Sequence, residues 1–356
     1  MMQLFRIVMA AAACLAWHQG LAGRAAAGEK VQPPAKKADA QPASGSEPCR
    51  YKEARGPFEV QAAAYDWVDA KRKRPVPAKI YFPKSGDGPF PVVIFSHGLG
   101  GTRDGYEYLG RHWASHGYVC VHVQHKGSDN AAWENQPDPM ASMKKAVLDV
   151  KNSTERPKDV SFAIDQMEKM NADAAAALKG RLDIENIGVA GHSFGAFTVL
   201  AAAGEVYGGP LGLGFTFTDP RVKAGIPMST PVPFKQLSAN KAFGRISIPC
   251  LHMTGTRDDS PVGDTMATDR RIPYDGINGA DQYLVTFTGG DHMIFSGRGA
   301  LPGGEKDAFF QNLIRMSTTA FWDAYLKNDP KAKEWLAKGG CDGVLGKDAV
   351  LEKKLK

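Results

Sequence analysis

The sequence predicts an α/β fold, with a mostly parallel central sheet and helices on both faces. Three observations carry this. Uninterrupted apolar runs, Phe90-Pro91-Val92-Val93-Ile94-Phe95 and Tyr118-Val119-Cys120-Val121-His122-Val123, mark strands covered on both faces. Segments of helical pattern lie between such runs, and that alternation gives a parallel sheet. At Ile187–Ala196 an apolar strand runs into a small-residue helix through Gly191-His192-Ser193-Phe194-Gly195, a Gly-X-Ser-X-Gly turn.

Taken in order, residues 1–27 read as an export signal. Arg6 gives a positive start, Ile7 to Trp17 is apolar but too short to span a bilayer, and small residues follow as cleavage sites. Ala11 stands where a lipoprotein signal has Leu, which argues against attachment through Cys14. Residues 28–50 form a disordered tether, because its Pro, Ala, Lys and Ser bury too little apolar surface to offset ordering entropy. A single domain is expected over 51–340 and a basic C-terminal tail over 341–356.

Within the domain, Phe58 to Val68 and Val76 to Phe82 alternate as an antiparallel hairpin. The strand at Phe90–Phe95 ends in Ser96-His97-Gly98-Leu99-Gly100-Gly101. Tyr106 to His116 is helical and closed by Gly117. After the strand at Tyr118–Val123 come a polar loop, helices near Met140–Lys151 and Lys158–Met170, and a further short helix at Asp173–Lys179. Leu182–Ala190 is the strand that leads to Ser193, and Ala196–Ala203 the helix that leaves it. Strands follow at Val222–Met228, Ile248–Met253 and Gln282–Thr288, then a long amphipathic helix at Glu305–Leu326. The Gly-, Pro- and Phe-rich blocks 204–220 and 231–247 come off strand ends and read as substrate-pocket loops, with Trp133 and Phe295 as further lining candidates.

Composition narrows the partners. The net charge is +6, and much of the positive excess sits in the tether, in Lys71-Arg72-Lys73-Arg74 and in the last four residues. The first of these runs reads as a solvated hairpin tip, and no aromatic residues interleave it as a nucleic-acid surface requires. Of five cysteines, Cys14 leaves with the signal, while Cys120 and Cys250 read as small core residues. Cys49 and Cys341 bracket the domain and would tie its ends together in an oxidising compartment, although sequence does not fix the pairing. No spacing suggests a metal cage.

The chemistry centres on Ser193. A serine on a sharp strand-to-helix turn sits in a strained conformation, and its flanks must be small. Its hydroxyl needs a base, and the base needs orienting. Asp258, just past the Ile248–Met253 strand and a glycine turn, is the expected acid, with Asp259 as the alternative. His292 follows the last strand through Gly289-Gly290-Asp291 and is the expected base. His192, beside Ser193, is expected to pack, and His97 to brace backbone. An oxyanion needs two N–H donors. Phe194 N–H and Leu99 N–H are the expected pair, with Gly100 as the alternative to Leu99.

On Phe95–Gly101 and Gly191–Gly195 the chain resembles the α/β-hydrolase superfamily, in the platelet-activating-factor acetylhydrolase and dienelactone-hydrolase-like branch. The resemblance covers roughly residues 55–330. It implies an α/β-hydrolase fold and an oxyanion hole at Leu99 and Phe194. True dienelactone hydrolases use cysteine where this chain has Ser193. The eukaryotic acetylhydrolases take their acid from the preceding strand, which here ends in Ser229-Thr230-Pro231 without a carboxylate, so the acid moves to Asp258.

The expected protein is therefore a secreted serine carboxylesterase, needing no metal or organic cofactor. Its substrate would be a small-molecule or polymeric ester, with polyester (cutinase-like) or phospholipid acetyl-ester hydrolysis as finer alternatives. Nucleic acid is not expected as a partner, nor a membrane span after signal cleavage. The rival of another class is a catalytically silent ligand-binding domain.

Overall fold

In the computed structural model, residues 51, 55–208, 214–232, 238–297, 304 and 306–356 are described. The expected export signal, the tether and Cys49 lie outside the described residues.

The strands are β1 (Val60–Asp69), β2 (Arg74–Pro83), β3 (Phe90–Ser96), β4 (Val119–Val123), β5 (Leu182–His192), β6 (Val206–Tyr207), β7 (Phe215–Thr216), β8 (Val222–Met228), β9 (Cys250–Arg257), β10 (Gln282–Asp291) and β11 (Ala349–Lys354). The main helices are α1 (Glu107–Ser115), α2 (Pro139–Leu148), α3 (Val150–Ala172), α4 (Phe194–Ala203), α5 (Asp307–Tyr325), α6 (Pro330–Ala337) and α7 (Gly340–Leu345). Nine strands form one sheet in the order β1-β2-β4-β3-β5-β8-β9-β10-β11, and β6 pairs with β7 apart from it. From β4 through β10 the neighbours are parallel; β1/β2, β2/β4 and β10/β11 are antiparallel.

The period of two explains why the inner strands are apolar throughout. Val93, Phe95 and Cys120 face a core built with α1 and α5, where Trp113 meets Trp322 edge to face at 5.9 Å. Val92, Ile94, Val119 and Val121 face the opposite core, built with Val160, Ile164 and Met167 of α3 and Val199 of α4. Every residue of α4 is buried, so the helix behind Ser193 is held on all sides.

Three local expectations need correction. Asp173–Lys179 is a pair of tight turns, because Asp173 closes α3 and Gly180, at φ +67°, ends the segment before a helix can build. The 341–356 segment is not a tail. Cys341 is buried in α7, and β11 pairs with β10 from Gln282↔Lys354 to Phe287↔Ala349. Its lysines are engaged: Lys354 donates to Ile277 O at 2.6 Å and Lys353 pairs with Asp342. An edge strand rich in lysine blunts pairing with other chains, and that charge hides it in the sequence. Finally, the Lys71–Arg74 tip is only half solvated. Arg72 and Arg74 both reach the fully buried Asp159.

Candidate active site

All parts of the site lie at the ends of the parallel strands. Ser193 stands between β5 and α4 with φ 56° and ψ −118°, a conformation that costs an L-residue about 1–3 kcal/mol. Packing enforces it. A Cβ on Gly195 would fall 1.9 Å from Ser96 O, and one on Gly191 would fall 2.5 Å from Gly195 O. Ser193 N–H continues the sheet to Met228 O at 2.8 Å, while Ser193 O accepts from Ala196 and Phe197 and opens the helix. The first N–H groups of that helix are left pointing at the serine.

Three side chains form one line. Ser193 Oγ is 3.0 Å from His292 Nε2, and His292 Nδ1 is 2.7 Å from Asp258 Oδ1. Asp258 follows β9 directly and is fully buried. Its second oxygen accepts from Ser229 Oγ at 2.6 Å and from Thr254 Oγ1 at 2.8 Å. Burial alone would raise this carboxyl, but the hydrogen bond and charge of His292, the charge of Arg270 and the Ser229 hydroxyl together hold it below the usual 3.8. The bonds assign the imidazole as Nδ1–H toward Asp258, leaving Nε2 to accept from Ser193. Asp259, the alternative acid, instead caps a loop through Ala267 N–H at 2.9 Å.

Around Leu99 the backbone is largely committed. Gly98 N–H donates to Tyr106 Oη, Gly100 N–H to Ser128 O at 2.9 Å and Gly101 N–H to Gly98 O. Leu99 N–H is the member of this loop without an acceptor among the described residues, and Phe194 N–H likewise has none. Trp133 seals the outer side of the loop by donating to Gly100 O at 2.8 Å. Phe295 is fully buried, packed on Phe287 and His192. Arg257 is exposed at the end of β9. In the expected pocket loops, residues 209–213 and 233–237 lie outside the described residues.

His192 does more than pack. Its Nε2–H donates to His292 O at 2.9 Å, and Nδ1 accepts from Tyr106 Oη at 2.8 Å. With Gly98 N–H on the same Tyr106 oxygen, one chain of bonds joins the serine turn, the histidine loop and the Leu99 loop. His97 braces backbone as expected, donating from Nδ1 to Gly98 O at 2.6 Å and accepting His125 N–H on Nε2 at 3.0 Å.

Four other partners escape sequence reasoning. Arg270, nearly buried, donates to Asp258 O and Ser229 O, and its guanidinium lies 3.3 Å from His292 Nδ1 and 3.5 Å from Asp258 Oδ1. Ser229 directly follows β8 and Thr254 lies within β9, neither in a motif of its own. Tyr106 at least begins a visible helical pattern. Thr254, four residues before the expected acid, is the nearest to a signal, and Arg270, on a short helix further along, carries none.

A second Asp–His–Ser line lies under the Leu99 loop. Asp159 Oδ2 is 3.0 Å from His125 Nδ1, and His125 Nε2 is 2.9 Å from Ser96 Oγ. All three side chains are fully buried. Among the described residues no cluster of His, Cys, Asp and Glu has the arrangement of a metal site, and no helix is long and apolar enough to cross a membrane.

The sheet order and the strand-end site define the class: the chain has the α/β-hydrolase fold, with a serine, a histidine and an aspartate brought together at its strand ends. Its relatives agree. The family model for platelet-activating factor acetylhydrolase, isoform II, matches residues 70–173, which takes in β2 through α3 and the Leu99 loop but stops short of Ser193. The platelet-activating factor acetylhydrolase of Cavia porcellus is 25% identical over 291 residues, covering 73% of this chain and 63% of that protein. A cutinase of Thermobifida alba is 27% identical over 267 residues, covering 75% of this chain and 69% of the relative. A cutinase of Thermobifida fusca is 25% identical over 269 residues, covering 75% and 66%.

Proposed function

We propose that this protein is an exported serine carboxylesterase that cleaves carboxylic esters through an acyl-enzyme. The observation that carries the proposal is the Ser193–His292–Asp258 line at 3.0 and 2.7 Å, with its serine half exposed and the other two side chains buried. Ser193 Oγ attacks the ester carbonyl as its proton passes to His292 Nε2. Asp258 stabilises the imidazolium. The tetrahedral oxyanion rests on Phe194 N–H and Leu99 N–H, each donor contributing on the order of 3 kcal/mol. His292 then protonates the departing alcohol, and a water activated by the same ring releases the acid and restores Ser193.

Ester rather than amide cleavage is supported by the names of both groups of relatives, an acetylhydrolase and cutinases. Those names also supply the finer alternatives, a phospholipid acetyl ester and a polyester. Export is supported by the signal-like pattern of residues 1–27.

Labelling with a fluorophosphonate probe, beside Ser193→Ala, tests the scheme. Wild type should label and the variant should not, with kcat/KM on p-nitrophenyl esters falling by at least about 10⁴-fold. A series of acyl chain lengths then separates short acetyl-type from longer substrates. Absence of labelling in well-folded wild type, or full esterase activity in Ser193→Ala, would refute the proposal and return the chain to the silent ligand-binding class.

A further inference from the structure

Arg156, on α3, is fully buried. Its guanidinium makes no ion pair with a carboxylate among the described residues. Asp159, the acid one turn away, is taken up by Arg72, Arg74 and His125. Instead Arg156 donates to neutral acceptors: Nε to Thr198 Oγ1 at 2.9 Å, Nη1 to Ser128 Oγ at 2.8 Å, and Nη2 to Ser96 Oγ at 3.1 Å and to His97 O. Its cationic plane lies 4.5 Å from the centroid of the Phe194 ring.

A buried cation with no carboxylate hydrogen-bonded to it is costly even with the charge of Asp159 nearby, and apolar residues of similar volume commonly replace buried charged groups without loss of stability. Packing therefore does not account for a charge at this position. The acceptors do. His97 O belongs to the loop that carries Leu99 N–H. Thr198 Oγ1 donates in turn to Phe194 O at 3.0 Å, on the helix that carries Phe194 N–H. Ser128, the third acceptor, belongs to the residue whose carbonyl holds Gly100 N–H. One rigid fork thus reaches both halves of the expected oxyanion hole from behind.

We propose that Arg156 is a positioning residue for ester hydrolysis: it fixes the spacing of the Leu99 and Phe194 N–H donors and sets a positive charge behind the developing oxyanion. It touches no substrate. Because the charge is weakly screened in a buried site, its effect is felt where negative charge appears, in the tetrahedral intermediate, and little in the bound ester. The proposal rests on the serine-esterase scheme above.

The test uses the whole protein with Arg156→Met, which removes charge and donors at similar length, and Arg156→Lys, which keeps the charge without the fork. Folding is followed by circular dichroism and thermal melting. Function is followed by kcat and KM on a p-nitrophenyl ester and by the affinity of an alkyl boronic acid, whose serine adduct mimics the tetrahedral intermediate. In Arg156→Met, kcat should fall about 10- to 100-fold, less than for complete loss of a donor, with KM nearly unchanged. Boronate affinity should fall in step with kcat. Arg156→Lys should recover part of both.

A folded Arg156→Met with wild-type kcat and boronate affinity would overturn the proposal. So would a loss of kcat without loss of boronate affinity. If Arg156→Met does not fold, Arg156→Lys decides alone, with a parallel fall expected and unchanged values refuting. A wild type that neither turns over esters nor binds boronate would overturn the esterase scheme itself, and Arg156 with it. An active wild type with unaffected variants would overturn only the role of Arg156.

Discussion

Mild acid should destabilise this protein, because its histidines are buried neutral. His97, His112, His122, His125, His192 and His252 are each at most 6% exposed. Burial, the largest cause in every case, pushes them down: His122, His125 and His252 to about 4, His112 to about 3, and His97 and His192 well below 6.5. Neighbouring charge adds to this, from Arg156 on His97 and His125 and from His292 on His192. In the unfolded chain the same rings titrate near 6.5. A depressed folded pKa contributes stability above the unfolded value and loses it as pH falls, at about 1.4 kcal/mol per unit and per ring. Between pH 7 and pH 5 the four rings held at about 3 to 4 together withdraw roughly 7 kcal/mol, and His97 and His192 act in the same direction.

Glu205 acts in the opposite sense. Burial raises it to about 8, so the folded state takes up its proton first and regains roughly 3 kcal/mol over the same interval. The net loss, at least about 4 kcal/mol, is a large share of the stability of an ordinary domain. Denaturant melts at constant ionic strength, from about pH 7.5 to about pH 4.5, should therefore show stability falling steeply toward pH 5 with at least about three protons taken up on unfolding. Stability that stays level between those limits, or an uptake of one proton or none, would refute the claim that these rings are buried neutral.

Two further outcomes follow from the geometry. Gly195→Ala places a Cβ where Ser96 O already lies, at 1.9 Å. It should lower stability by more than about 3 kcal/mol and abolish esterase activity, read by thermal melting and ester turnover; wild-type activity would contradict the observed packing. Mass spectrometry of the fluorophosphonate-labelled protein should find the label on Ser193 alone, and a label on Ser96 would mean that the buried second line opens to solvent.

The sequence made the sheet legible because its inner strands are apolar on both faces, and the ends of those strands then pointed to Ser193, Asp258 and His292. The choice of Asp258 over Asp259 needed coordinates. Two adjacent carboxylates look alike in a string, yet one is buried under Ser229 and Thr254 and the other caps a loop. Leu99 over Gly100 likewise depended on knowing that Ser128 O, 28 residues on, already holds Gly100 N–H. Arg156 and Arg270 could not be found at all, since a buried arginine has the same letter as a solvated one. β11 was hidden for the converse reason, because its lysines read as a free basic end.

The two Asp–His–Ser lines show how little interatomic distance alone decides. Asp159–His125–Ser96 spans 3.0 and 2.9 Å, and Asp258–His292–Ser193 spans 2.7 and 3.0 Å. A search by distance would return both. They differ in what surrounds the hydroxyl. Ser96 closes a regular strand, is fully buried, and already accepts a hydrogen bond from Arg156 on the oxygen that would have to attack. Ser193 is turned out of its strand at φ 56°, is half exposed, and has unengaged N–H groups beside it. Attack needs a free lone pair, room for a carbonyl and donors waiting for its oxygen. Of the two serines, the one on the strained turn is partly exposed and has N–H groups without acceptors among the described residues beside it, which is why the proposed scheme is built on Ser193. The buried line uses the same residue types to tie Asp159 and Arg156 to the loop that carries Leu99.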